Sequence, residues 1–249
     1  MRNDGSRPCG TVCDSKGEEG MKFFEESVYF GLLLSLAAYG VGSLMKAKFK
    51  KAIFNPLLIS IAITIAVIVI GNVDYELYRS SANMLSWLLT PATVCLAVPL
   101  YEKIELLKSN WKAIFAGISV GVLTSLFCVL LLAIVFGFTH EEYVTFLPKS
   151  ITTAIGMGVS EEMGGYANLT AAVIIITGVI GNVIAPAVCG FAKITEPIAK
   201  GIAIGTSAHA VGTAKAMEMG ETEGAMSSLA IGVAGILTVV AVSIFAQFL

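Results

Sequence analysis

Two basic side chains stand among small and hydroxylated residues in an otherwise apolar chain. Lys149 lies in LPKSITTAIGM (147–157) and His209 in GTSAHAVGTAKAMEMG (205–220). An ionisable group inside a membrane segment is costly without a partner and marks a ligand or proton path. A carboxylate leaving water needs a positive or multiply donating partner. After Lys22, only Lys149, His209 and Lys215 offer potential positive charge within or beside the polar membrane segments. Lys149 pairs with such an anion, or snorkels to the interface with its stem in lipid; both readings stand. His209 is read as a substrate or proton residue, because its charge changes near neutral pH. The plainer alternative is a neutral imidazole bonded to a freed carbonyl, holding a break in the helix together.

Hydroxyls complete the candidate substrate site. Ser150 and Thr152 follow Lys149, and if they open a helix its free backbone donors suit an anion. Thr90, Thr93, Thr206, Ser207 and Thr213 flank two interrupted segments, where half-helix N-termini would carry positive partial charge. The competing structural role for each is a hydrogen bond from helix to helix. Lys215 and Glu218, three apart, are expected to pair on a helix face. Asn55 before Pro56 reads as a helix cap, and Tyr101 and Trp111 as interface anchors.

There is no GxSxG, HExxH or phosphate-binding loop, so the sequence predicts no enzyme, no cofactor and no metal site. No basic patch points to nucleic acid. Cys9 and Cys13 have no second pair or neighbouring histidine, which argues against a metal or redox centre. Cys95, Cys128 and Cys189 lie in apolar stretches and read as packing residues.

The elements that must position these groups cross a membrane. The chain has 249 residues, 56% hydrophobic and 14% charged, with a mean hydropathy of +0.82. A soluble domain carries about 25% charged residues. The class is all-α: a polytopic membrane helix bundle in a multi-pass cell-membrane protein. A spanning helix takes ~20 apolar residues, met cleanly by 27–45, 53–71, 113–138, 167–192 and 225–249. Three segments are compromised: 84–101 by Pro91 and Pro99, 147–165 by Pro148, Lys149 and its hydroxyls, and 201–217 by Gly205 and Gly212. The interrupted segments 84–101 and 201–217 each precede a long apolar helix, which predicts an inverted repeat built on two broken helices. Lysines in 46–51, after Tyr101 and in 193–200 fall on one side only if 147–165 dips in and returns. That gives seven spans and a re-entrant segment, seven to eight membrane segments in all, with the N-terminus outside; if all eight segments span, Lys193 and Lys200 face out and the repeats run parallel. Residues 1–20 are polar and aperiodic, so a disordered tail is expected, without the apolar core of a signal peptide. Met21 is a possible alternative start, and 21–249 forms the membrane domain.

PATVCLAVPLYEKIELLKSNW (91–111), LPKSITTAIGM (147–157) and GTSAHAVGTAKAMEMGETEGAMSSLA (205–230), with Asn-Pro-Leu-Leu at 55–58, resemble the LrgB/CidB family of bacterial membrane proteins. That family includes the membrane domain of the plant plastid glycolate/glycerate translocator. The resemblance covers essentially everything after Met21. It implies two competing functions in the bacterial cytoplasmic membrane. One is transport of small carboxylates such as pyruvate, lactate or glycolate. The other is an antiholin-like or holin-associated role in murein hydrolase export and cell lysis. It also implies a small LrgA/CidA-type membrane partner. A homo-oligomer is expected in the bilayer.

Overall fold

A computed structural model of the chain describes residues 29–49, 55–95 and 97–249. The 1–20 tail, Met21, the Cys9–Cys13 pair and Lys50 and Lys51 lie outside the described residues. So do the side chains of Thr90 and Thr93. Every regular element among the described residues is a helix. The chain divides into two compact units, one ending at Pro91 and one running from Ala92 to Leu249.

The first unit holds α1 (Phe30–Phe49), α2 (Pro56–Ile70) and α3 (Tyr75–Trp87). The Asn55 side chain accepts from Leu57 N at 2.9 Å, with Pro56 in the first turn. This is the cap expected from the sequence, since proline lacks only a donor that the first turn leaves unused. Gly42 lets α1 touch α2, because a Cβ there would lie 2.6 Å from the Pro56 carbonyl oxygen. Ser81 Oγ accepts from Gly31 N at 2.8 Å and ties α3 to α1.

Short helices follow: α4 (Leu89–Cys95), across the boundary between the units, and α5 (Ala97–Glu102). The second unit continues with α6 (Ile104–Phe136), α7 (His140–Phe146), α8 (Thr153–Glu162), α9 (Ala167–Phe191), α10 (Pro197–Met219) and α11 (Glu221–Phe245). Four helices, α1, α6, α9 and α11 with its 3₁₀ extension, are long and apolar enough to cross a membrane. The 15-residue α2 is about 22 Å long at 1.5 Å per residue, short of a ~30 Å hydrocarbon core.

The core of the second unit is one face of α6: Ile114, Ile118, Val122, Leu126, Val129 and Ala133 recur at helical spacing. They pack on Met226, Ala230, Ala234 and Val242 of α11, whose small residues let the helices approach closely. The two helices run parallel. Lys103 pairs with Glu221 at 3.1 Å at one end, and Tyr143, just past the far end of α6, donates to Phe245 O at 3.0 Å.

Besides 53–71, whose described helix α2 is shorter than the span expected there, two segments depart from the sequence expectation. Residues 84–101, expected as one broken helix, fall across α3, α4 and α5. Residues 201–217, expected as the other, do not cross; α10 reverses at His209, whose backbone angles are φ 41° and ψ −139°. Gly201 and Gly205 touch the backbone of Glu223 and Ser227, so the arm 197–208 runs parallel to α11. Thr213 then meets Ser227 and Met217 meets Gly224, so the arm 210–219 runs back. Gly212 returns to within contact of Ile204 O; in a straight helix eight residues span about 12 Å.

Residues 139–166 form a second hairpin. Helices α7 and α8 have 7 and 10 residues, about 10 and 15 Å, too short to cross. Thr139 opens α7 with a capping box closed by Glu142. The far end returns beside it, with Tyr166 N donating to Thr145 Oγ1 at 2.8 Å and Tyr166 OH to Glu141 at 2.6 Å.

Candidate functional site

The two hairpins enter from opposite ends of α6 and their tips reach the same depth. At the first tip, Ser150 Oγ lies 3.1 Å from Ser125 Oγ. Ser125 is about 16 Å along α6 from Phe136, close to the middle of its apolar stretch. Gly117 faces Ile202 and Gly121 faces Thr206, so the first arm of α10 runs parallel to α6. That register brings His209, the second tip, level with Thr124 and Ser125. On α9, His209 meets Gly178, the middle of that helix as well.

A cavity of about 750 Å³ lies between α6 and the first arm of α10, with the first tip at one end. Lys149, Ser150, Ser125, Thr124 and Cys128 surround that end; Asn110 and Glu196 stand at the other. Gly117, Val120, Ile202 and Ala203 form the apolar walls between them, with Thr206 and Ser207 deeper along α10. The lysines fit this polarity. Lys103, Lys108, Lys112, Lys193 and Lys200 cluster at the Asn110–Glu196 end, and the return of α10 brings Lys215 back there too, paired with Glu218 at 2.8 Å.

Lys149 is half-buried and donates to Ser150 Oγ at 3.1 Å. Among the described residues it forms no ion pair. Glu196 is at the far end, about 22 Å away by the rise of α6 between Asn110 and Ser125. An ammonium has three donors, so two remain for an anion in the cavity, alongside the Ser125–Ser150 hydroxyl pair. The hydroxyls across the cavity are differently placed. Thr206 Oγ1 donates to Ile202 O at 2.8 Å and Ser207 Oγ to Ala203 O at 2.6 Å. With their protons committed, they present acceptors and suit a hydroxyl or water better than a carboxylate.

Of the residues expected from sequence, Lys149, Ser150, Thr206 and Ser207 therefore share one cavity. Thr152 precedes α8 without a side-chain cap bond and is not among the described lining residues. Neither are His209 and Thr213. His209 is 3% exposed, and its Nε2 donates to Ile174 O at 3.0 Å. Gly178 makes room for the ring: a Cβ there would lie 2.7 Å from His209 Cε1. Thr213 Oγ1 donates to His209 O at 3.0 Å and lies 2.7 Å from Ser227 Oγ, while Asn182 Nδ2 donates to Val211 O at 2.6 Å. These bonds hold a backbone conformation that costs on the order of 1–3 kcal/mol in a non-glycine residue. Thr213→Val should therefore lower stability by roughly 1–3 kcal/mol, two buried bonds at about 0.5–1.5 each. Thermal unfolding in detergent reads this directly, and an unchanged midpoint would show that the hydroxyl does not brace the tip.

The model of the LrgB-like family matches residues 35–248. The chain belongs to the LrgB-like family. It is a multi-pass cell-membrane protein. This LrgB-like chain is 37% identical over 222 residues to the antiholin-like protein LrgB of Bacillus cereus (strain B4264), covering 89% of the chain and 96% of that protein. The same identity and coverage hold for the antiholin-like protein LrgB of Bacillus anthracis (strain CDC 684 / NRRL 3495). No solved structure matches it.

Sequence reasoning missed Ser125, Cys128 and Glu196. Cys128 was read as packing, yet it is exposed and lines the cavity, whereas Cys189 is buried as expected. A signal was present: Gly117, Gly121, Thr124, Ser125 and Cys128 form a small and polar stripe along one face of an apolar helix.

Proposed function

We propose that this LrgB-like protein is a secondary carrier of small monocarboxylates of the pyruvate, lactate or glycolate kind, acting with or without a small LrgA/CidA-type partner. One observation carries the reading: an ammonium that forms no ion pair among the described residues, at mid-depth, at one end of a cavity beside two helical hairpins. Irregular backbone at membrane depth is tolerated where protein buries it or a wet cavity adjoins it, and midplane sites at broken helices are the usual architecture of carriers. The lysine-rich end is the cytoplasmic one by the positive-inside rule, and the Asn110–Glu196 end of the cavity lies toward it. Site residues under this reading are Lys149, Ser150 and Ser125 for the anion, with Thr206 and Ser207 for the remainder of the ligand. His209 and Thr213 shape the tip instead of touching the ligand.

A second reading is favoured by the names of the relatives, which support it more directly than any particular substrate does. In it the chain is an antiholin-like regulatory subunit that modulates murein hydrolase export and lysis, through a small membrane partner or further copies of itself. Uptake of labelled pyruvate, lactate and glycolate into vesicles holding the purified protein separates the two. Saturable uptake is expected. Its absence, with and without the small partner, would leave the regulatory reading alone.

A further inference from the structure

The second arms of the two hairpins carry related sequences. Residues 153–163 read TAIGMGVSEEM and residues 209–219 read HAVGTAKAMEM. At a constant spacing of 56 positions, Ala154, Gly156, Glu162 and Met163 match Ala210, Gly212, Glu218 and Met219, and Ile155 meets Val211. The geometry repeats with the sequence. A Cβ on Gly156 would lie 3.4 Å from Pro148 O; on Gly212 it would lie 3.3 Å from Ile204 O. In both cases the carbonyl belongs to the residue eight positions back, a contact that requires the chain to reverse in between. Each hairpin then leads into a long helix of 25 residues, α9 and α11. The first hairpin enters from the far end of α6, the second from the lysine-rich end.

We infer that residues 139–192 and 195–248 are two copies of one hairpin-plus-span unit, inserted in opposite directions, and that their tips are equivalent gates closing on one site from opposite faces. The gating half rests on the carrier reading; the repeat does not. The same spacing lays Ser150 on Thr206, both on the cavity wall, and Thr153 on His209. The two copies differ in conformation, as one state of a two-gate device must. The first tip turns over residues 147–152; the second turns at the single residue His209. The cavity runs from Lys149 toward the lysine-rich end, while on the other side of Lys149 Leu126, Tyr143, Val144 and Leu147 are packed at 0–1% exposed. Exchange of the two tip conformations gives the state open to the other face, the general behaviour of inverted repeats in carriers.

Single cysteines in a background with the five native cysteines replaced by serine test both halves. A membrane-impermeant maleimide is applied to vesicles of known orientation. His140→Cys and Glu162→Cys should label from one face, and Glu196→Cys and Glu218→Cys from the other. Labelling of the two feet of one hairpin from opposite faces, or of all four from one face, would overturn the inverted repeat. Ser150→Cys and Thr206→Cys should label from both faces, with pyruvate slowing both. Labelling of either from one face only would overturn the paired gates. If the wild-type protein shows no pyruvate uptake while the feet label as expected, the carrier reading and its gates fail and the repeat stands.

Discussion

Lys149→Ala should weaken carboxylate binding by roughly 10- to 150-fold while the protein stays folded. The magnitude is that of a hydrogen bond to a charged group, about 1.5–3 kcal/mol. A carboxylate entering the cavity gives up hydration and needs donors in return. The Thr206 and Ser207 hydroxyls already donate to Ile202 and Ala203 carbonyls. Of the hydroxyls expected as ligands on that wall, none has a free proton, so the ammonium carries the recognition. Its own loss disturbs little, since its one hydrogen bond is to the neighbouring Ser150. Lys149→Arg should recover part of the affinity and not all, because the planar guanidinium presents its donors in a different fork. Calorimetric titration with pyruvate on detergent-stable variants gives the answer, with vesicle uptake alongside. Wild-type affinity in Lys149→Ala would remove the lysine from the site and leave the anion to Ser125 and Ser150.

How much of this was legible before the fold was known depends on what each residue's signal measures. Hydropathy and length report whether a segment prefers lipid, so the helix class was readable and α9 and α11 within a few residues, whereas α6 begins at Ile104, ahead of the expected 113, because Glu105, Lys108 and Lys112 lower the hydropathy of its first turns. Lys149 stood out as a candidate because charge among apolar residues is expensive wherever it lies, and it lines the cavity. The fold-back at His209 was not, because glycine and hydroxyl content reports weakness in a helix and not the direction the chain takes afterwards. A kinked crossing and a reversal have the same composition at 201–217. That one ambiguity is why the sequence pairs 201–217 with 84–101, whereas the repeat inferred above pairs it with 153–163. Cys128 and Ser125 were missed for a related reason: on a spanning helix the face toward a cavity and the face toward lipid are separated only by which neighbours arrive.

His209→Ala should cost roughly 3–5 kcal/mol of stability yet leave carboxylate affinity near wild type in the protein that remains folded. The ring is 3% exposed and wedged between Gly178 and the α10 tip. Removing a buried aromatic side chain leaves a void worth about 3–5 kcal/mol, and the lost bond to Ile174 O adds about 0.5–1.5, offset in part by relaxation of a tip no longer held at φ 41°. Gly178→Ala attacks the same contact from the other side without touching the histidine. Its methyl would fall 2.7 Å from Cε1 and 2.9 Å from Nε2, forcing the ring off the Ile174 carbonyl at a cost of about 1–3 kcal/mol, the usual range for overpacking. The two substitutions should be far from additive, because once the imidazole is gone the alanine methyl occupies the space it left. Thermal unfolding of the two single variants and the double variant in detergent, with pyruvate titrations on each, separates a brace from a ligand. A brace gives lowered midpoints, strong coupling between 178 and 209, and preserved affinity. The opposite pattern, unchanged stability in His209→Ala with affinity lost, would return the histidine to the substrate site, where the sequence alone had placed it.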